Sequence, residues 1–285
     1  MIFEHEIPEG SHLYFGESAR IKRDIENRAA EMLEERGFVE MVTPLFSYHQ
    51  HESFDDPKAL IRLNDAQNHE VSLRADSTAD VVRIATKRLG RVEGHSERWF
   101  YIQPVYRFPT VEQNQIGVEH IGGEFTDICN TGLDLLEEIE MEPLIQLANI
   151  AIPRLLSEKY GVELDRLKGM NIESLGSSSG WLERLVRINR VEDLTDLSPY
   201  PGDIAVELEA IAKASEEIEC DRIVVSPLYY AKLRYYDSLI FRAFEGNSLY
   251  MMGGTYDIEE NRAAGFALYT DACIVKKCKK GKNVS

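Results

Sequence analysis

The chain has 285 residues, of which 44% are hydrophobic, with 32 basic and 49 acidic side chains giving a net charge of −17. A field of that sign repels phosphate backbones and argues against non-specific nucleic-acid binding. The apolar content suits a chain that buries a core without disulfide staples, and no run of ~18 apolar residues is available to span a membrane.

Ile7-Pro8-Glu9-Gly10 reads as a turn. A helix is predicted over 17–36, because Ile21, Ile25, Ala29, Met32 and Leu33 recur on one face at the helical period and Gly37 stops it. Phe38 to Tyr48 reads as an extended run interrupted by Pro44, which lacks an N–H for a sheet ladder. Val71 to Arg74 reads as a short strand, followed by a helix to about Leu89 that either Asp76 or Ser77 can cap. Arg98 to Phe108 is aromatic and β-branched and reads as a strand. Gly117 to Ile128 is expected as its antiparallel partner, across a polar loop over 109–114. Leu133 to about Leu156 reads as helical, and 157–215 as a small helical insertion with loops around Gly176 to Gly180. Arg222 to Val225, Leu233 to Phe244 and Ser248 to Met252 read as strands, the last two joined by a hairpin at Glu245-Gly246-Asn247. Gly265 to Ile274 closes the domain, and the basic run Lys276 to Lys280 reads as a solvated tail.

Strands grouped in this way predict an α+β fold with a mainly antiparallel sheet. The four cysteines, Cys129, Cys220, Cys273 and Cys278, have no CxxC spacing, so free thiols are expected and a zinc or redox motif is not. The first 20 residues carry acids and glycine where a signal peptide has a basic start and an apolar run, so a cytoplasmic protein is expected. No Gly-rich loop of dinucleotide or P-loop type lies between a strand and a helix, and no cofactor or metal is expected.

Four separated segments resemble the catalytic core of class II aminoacyl-tRNA synthetases, histidyl-tRNA synthetase in particular. The turn at Ile7 to Gly10, the following helix and Gly37 to Pro44 are similar to the opening turn and the dimer-forming motif 1. Leu73-Arg74-Ala75-Asp76-Ser77-Thr78 is similar to LRPEGT. Val105-Tyr106-Arg107 with Gln115-Ile116-Gly117-Val118-Glu119 is similar to motif 2. Tyr235-Tyr236, Gly253 to Asp257 and Gly265-Phe266-Ala267 are similar to the segments that end the fold. The resemblance runs from about 7 to 275 and implies a class II core over 1–285, with no anticodon-binding domain.

The departures from that pattern fall on the nucleotide side. The arginine that meets the activated carboxylate matches Ala231, the arginine that clamps ATP matches Ala272, and a small glycine matches Tyr269. Adenylyl transfer needs cations against developing charge, so amino-acid activation is not expected. The amino-acid side is retained. The resemblance implies that Asp76 and Glu119 hold the ammonium and imidazole of histidine through charge-assisted bonds, that Gln115 is a polar contact, and that Tyr236 and Tyr256 approach the ring. With Thr78, Arg107 and Tyr235 these form the expected ligand-binding set. Each also has a structural reading: Asp76 as a helix cap, Glu119 ion-paired to Arg107, Tyr235 and Tyr256 as half-buried sheet residues, and Gly253-Gly254 for close packing. His120, one residue after Glu119, is expected on the opposite sheet face.

A synthetase core changed in this way resembles the regulatory subunits of ATP phosphoribosyltransferase, whose LRPDxT variant has aspartate where Asp76 stands. That resemblance implies a non-catalytic subunit, homodimeric within a larger hetero-oligomer. It implies that the subunit activates the short-form catalytic partner and carries feedback inhibition by histidine. The alternatives are a synthetase-like pseudoenzyme with another partner or small molecule, and an aminoacyl-activating enzyme.

Overall fold

The computed structural model describes residues 6–48, 57–90, 96–163, 167, 180–230 and 236–282. The expectations for Ala231, Tyr235 and Gly176 to Ser179 lie outside these described residues. Helix α1 (Gly16–Glu35) buries Ile25, Ala29 and Leu33 and packs on α3 and α7, defined below. Gly37, at φ +79, ends it by taking the left-handed conformation that closes the last carbonyls, with Gly37 N donating to Glu34 O at 2.9 Å and Phe38 N to Leu33 O at 3.0 Å.

The extended run after it divides at Pro44. Strand β1 (Val39–Glu40) lies parallel beside β5, whereas β2 (Phe46–Ser47) joins β3 (Arg62–Asn64) and β4 (Glu70–Leu73) in a separate antiparallel sheet of order β2-β4-β3. Buried Arg74 ties the two sheets together, donating to the carbonyls of Thr43 (2.8 Å), Pro44 (3.3 Å) and Pro104 (3.0 Å). Helix α2 (Thr78–Arg83) follows and continues as a π-helix through Ile84–Leu89.

Strands β5 (Arg98–Arg107) and β6 (Val111–Ile121) form the central hairpin, in register from Arg98 opposite His120 to Arg107 opposite Val111. The loop expected over 109–114 is therefore a turn of three residues, and β6 starts earlier than the sequence suggests. It also ends earlier: Gly122, at φ +72, turns the chain, and α3 (Phe125–Glu138) begins where the strand was expected to continue.

The helix expected over 133–156 is corrected to helix, strand, helix: α3, then β7 (Leu144–Asn149), then α4 (Ala151–Tyr160). Glu140, at φ +57, terminates α3, with its N–H on Glu137 O and that of Met141 on Leu136 O. Ile145 and Leu147 then run between β8 on one side and β9 on the other. A strand covered on both faces shows no alternation, and its apolar residues continue the neighbouring helical pattern.

Helices α5 (Gly180–Arg187) and α6 (Gly202–Glu217) lead to β8 (Ile223–Val225). Their Leu182, Leu185, Ile204, Leu208 and Ile211 pack in the same core as the sheet. Strands β9 (Tyr236–Glu245), β10 (Ser248–Ile258) and β11 (Asn261–Tyr269) complete an eight-stranded sheet of order β1-β5-β6-β11-β10-β9-β7-β8. The expected hairpin at 245–247 is present, with Glu245 paired to Ser248 and Gly246 at φ +56. The basic run is not a tail: Lys276 and Lys277 lie on α7 (Thr270–Lys282) and pair with Glu245 and Glu140.

The two faces of the large sheet differ in kind. Phe100, Ile116, Val118, Phe266, Leu268, Phe241 and Met251 point to α1, α3 and α7 and form the main core. The alternate residues of the same strands point to α2, where Trp99, Tyr101, Tyr236, Ile240, Met252 and Tyr256 form smaller clusters around the polar Gln115 and Glu119. Among the described residues no helix is long and apolar enough to cross a membrane.

Candidate functional site

The period of two in β6 sorts Ile116 and Val118 into the core and Gln115, Gly117 and Glu119 onto the α2 side. Strand β10 adds Met252 and Tyr256, β9 adds Tyr236, and β11 adds Gly265, Ala267 and Tyr269. The start of α2 supplies Asp76 and Thr78 from above, and Arg107 reaches in from the end of β5. These residues enclose a cavity of about 20 Å³, enough for one ordered water. Asp76, Thr78, Arg107, Gln115, Glu119, Tyr236 and Tyr256 are thus brought together at one place, as the resemblance implies; Tyr235 lies outside the described residues.

Glu119 is the innermost group. It is fully buried, its Oε2 accepts the hydroxyl of Tyr256, and its Oε1 has no hydrogen-bond partner among the described residues. Burial pushes its carboxyl up to about 8 and nearby Asp76 adds to this, against the hydroxyls of Tyr256, Thr78 and Tyr101. The ion pair between Glu119 and Arg107 weighed from the sequence is not formed. Arg107 instead donates from Nε to Ala75 O at 3.1 Å and from Nη1 to Gln113 Oε1 at 3.4 Å.

Asp76 has both of the roles weighed for it. Its Oδ1 accepts the Ala79 N–H at 3.3 Å at the start of α2, and it lines the cavity. Ser77, the other candidate cap, is buried and accepts from Gln103 Nε2 at 3.0 Å. Tyr256 is fully buried rather than half-buried and meets Tyr236 edge to face, ring centroids 6.3 Å apart. His120 is on the far face, edge-on to Phe38. Gly253 and Gly254 are required by close packing, since a Cβ on either would lie 2.6 Å from a carbonyl oxygen of a neighbouring strand.

The sequence reading did not include Met252, Gly265 and Ala267 in the site. Gly265 is fitted to Glu119: a Cβ there would stand 2.0 Å from Oε2. Tyr269, read as an intruder on the nucleotide side, closes the cavity. Its hydroxyl is pushed up to about 12 by burial, and it feels Arg107, Tyr229, Asp76 and Arg242. Ala272, at the position of the ATP-clamping arginine, packs on the main core.

The family described as histidyl-tRNA synthetase matches residues 14–273. The "ATP phosphoribosyltransferase regulatory subunit" of Wolinella succinogenes is 44% identical over 97% of this chain and 97% of its own length. The protein of the same name from Helicobacter hepaticus is 38% identical over 96% of this chain and 98% of its own. The chain belongs to the ATP phosphoribosyltransferase regulatory-subunit family. Its fold is that of a solved Bacillus halodurans C protein, described as ATP phosphoribosyltransferase regulatory subunit/histidyl-tRNA synthetase. The two superpose with a TM-score of 0.80 at 21% identity over 96% of this chain and 83% of that one.

In this family member the cavity presents an uncompensated carboxyl oxygen, a second acid and rigid phenols. Such a set offers acceptors to which a nitrogen donor can hydrogen-bond. The Tyr269 ring lines this cavity together with Arg107, while Ala272 is turned to the main core.

Proposed function

We propose that this chain is a regulatory subunit of ATP phosphoribosyltransferase, a non-catalytic member of the synthetase-like fold. In this reading it assembles as a homodimer with the short-form catalytic subunit in the cytoplasm, raises that subunit's activity, and passes on inhibition by bound histidine. The names of the relatives from Wolinella succinogenes and Helicobacter hepaticus support the assembly.

One observation carries the ligand part. The polar groups that would take an amino acid converge on one cavity, which Tyr269, at the position of a small glycine in the synthetases, helps to close. Effector regulation requires only that histidine favour one of two arrangements of the complex. Binding therefore has to open a cavity that now has room for a single water.

The test is to mix the purified chain with the host's ATP phosphoribosyltransferase and to record complex size and activity with and without histidine. A larger complex whose activity needs this chain and falls with histidine is expected, together with no histidine-dependent ATP–pyrophosphate exchange by the chain alone. Absence of a complex, or a rate unchanged by this chain, would refute the reading in favour of an orphan synthetase-like binding protein.

A further inference from the structure

The eight-stranded sheet begins at β1 and ends at β8. Strand β8, Ile223-Val224-Val225, is three β-branched residues in a row. It lies parallel to β7, with Ile223 opposite Ile145 and Val225 opposite Leu147. Arg222 O accepts the Ile145 N–H at 2.9 Å, and the Ser226 N–H goes to Leu147 O at 2.9 Å. Successive residues of a strand direct their backbone groups to opposite sides, so those of Ile223 and Val225 face away from β7.

This outer side is covered at one point. Val225 donates its N–H to Asn189 O at 3.0 Å. The cover then turns off, because the Asp193 carboxylate accepts the N–H groups of Asn189 and Arg190, both at 3.0 Å, and winds the chain into the 3-10 helix Val191–Leu194. The N–H and C=O of Ile223 and the C=O of Val225 have no hydrogen-bond partner among the described residues. Lysine and proline are the usual guards of an exposed strand edge, and Ile223-Val224-Val225 contains neither.

A groove of about 860 Å³ runs beside this edge, with Glu192, Asp193 and Asp221 on its rim and, of opposite sign, Arg190. Glu192 and Asp221 have no ion-pair partner among the described residues. An open edge is completed by another strand. Acids in excess at the rim call for lysine or arginine on the incoming segment. A second copy of this chain suits the edge poorly. Its net charge is −17, and pairing β8 with itself would set Glu192 and Asp221 against the same acids.

We propose that the β8 edge is a docking site for an extended, basic segment of the catalytic subunit. The segment adds a strand beyond β8 through the backbone of Ile223 and sets cationic side chains against Glu192 and Asp221. The proposal rests on the reading of this chain as a regulatory subunit, and it adds where the partner meets it.

The test measures the affinity of the full chain for the host's catalytic subunit in two variants. Ile223→Pro removes an N–H that the ladder to β7 does not use, and its ring fills the space of an incoming carbonyl. Glu192→Lys combined with Asp221→Lys reverses the rim charge at exposed positions. Each is expected to weaken the complex at least tenfold while the size of the chain alone in light scattering stays as in the wild type. The wild-type affinity is expected to fall as salt rises. Should Ile223→Pro fail to fold, the charge-reversed variant still decides. Wild-type affinity in either variant would overturn the proposal and leave the regulatory reading standing. A smaller size of the chain alone in these variants would place a second copy on the edge and also overturn it. No complex between the wild type and the catalytic subunit would overturn both readings.

Discussion

Glu119 sets the chemistry of the cavity through the absence of a cation beside it. Its carboxyl is raised from 4.5 to about 8 in the fold, first by burial. Between those values the native state binds the extra proton, so the contribution of Glu119 to stability is fully present below about pH 4.5 and is lost as pH rises through 8. Glu119→Gln is expected to flatten this dependence, which amounts to roughly 1.4 kcal/mol per pH unit at its steepest. Urea midpoints of the two proteins from pH 5 to 8 check it, and parallel curves would count against a neutral Glu119. Gly265→Ala is expected to cost more than about 2 kcal/mol in the same assay, because the added methyl overlaps Glu119 Oε2 and stands 2.4 Å from Val118 O. The acids and tyrosines of the site could be found in the sequence because strand alternation and motif spacing both mark them. Gly265 and Ala267 carry no such mark: smallness matters only once the neighbour is known.

At the scale of elements, the sequence signals are strong where one face is solvated or capped and weak where a segment is buried all round. Helix α1 ends within a residue of its predicted bounds because its apolar stripe and Gly37 agree. Strand β7 was hidden because both of its neighbours are strands and both of its flanks are helices. Pro44 was read correctly as an interruption, but the long-range pairing that sends β1 and β2 into different sheets has no local signature. What holds that junction is Arg74, which follows β4 and whose charge-assisted bonds satisfy the carbonyls of Thr43 and Pro44 in the β1–β2 connection and of Pro104 in β5. Arg74→Met is expected to leave those carbonyls without donors and to lower stability by about 3 kcal/mol, measured by thermal or urea unfolding. A loss below about 1 kcal/mol would show that water replaces the guanidinium without penalty.

At the scale of the molecule, the edge formed by β1 and the residues after it exposes Val39, Val42, Leu45, Phe46 and Tyr48, with Val42 78% and Phe46 56% accessible. Apolar side chains gathered on an exposed sheet edge suit an interface. The proposed homodimer is expected to cover them. Val42→Asp is expected to shift the protein to a monomer in light scattering while its circular dichroism stays unchanged; a dimer that persists would place the interface elsewhere.

The junction at Arg74 has a mechanical consequence. Asp76 and Thr78 follow it by two and four residues, a length of chain too short to take up slack. The small sheet and the acid-bearing wall of the cavity are therefore joined by one short stretch of backbone that the guanidinium pins to the large sheet at Pro104.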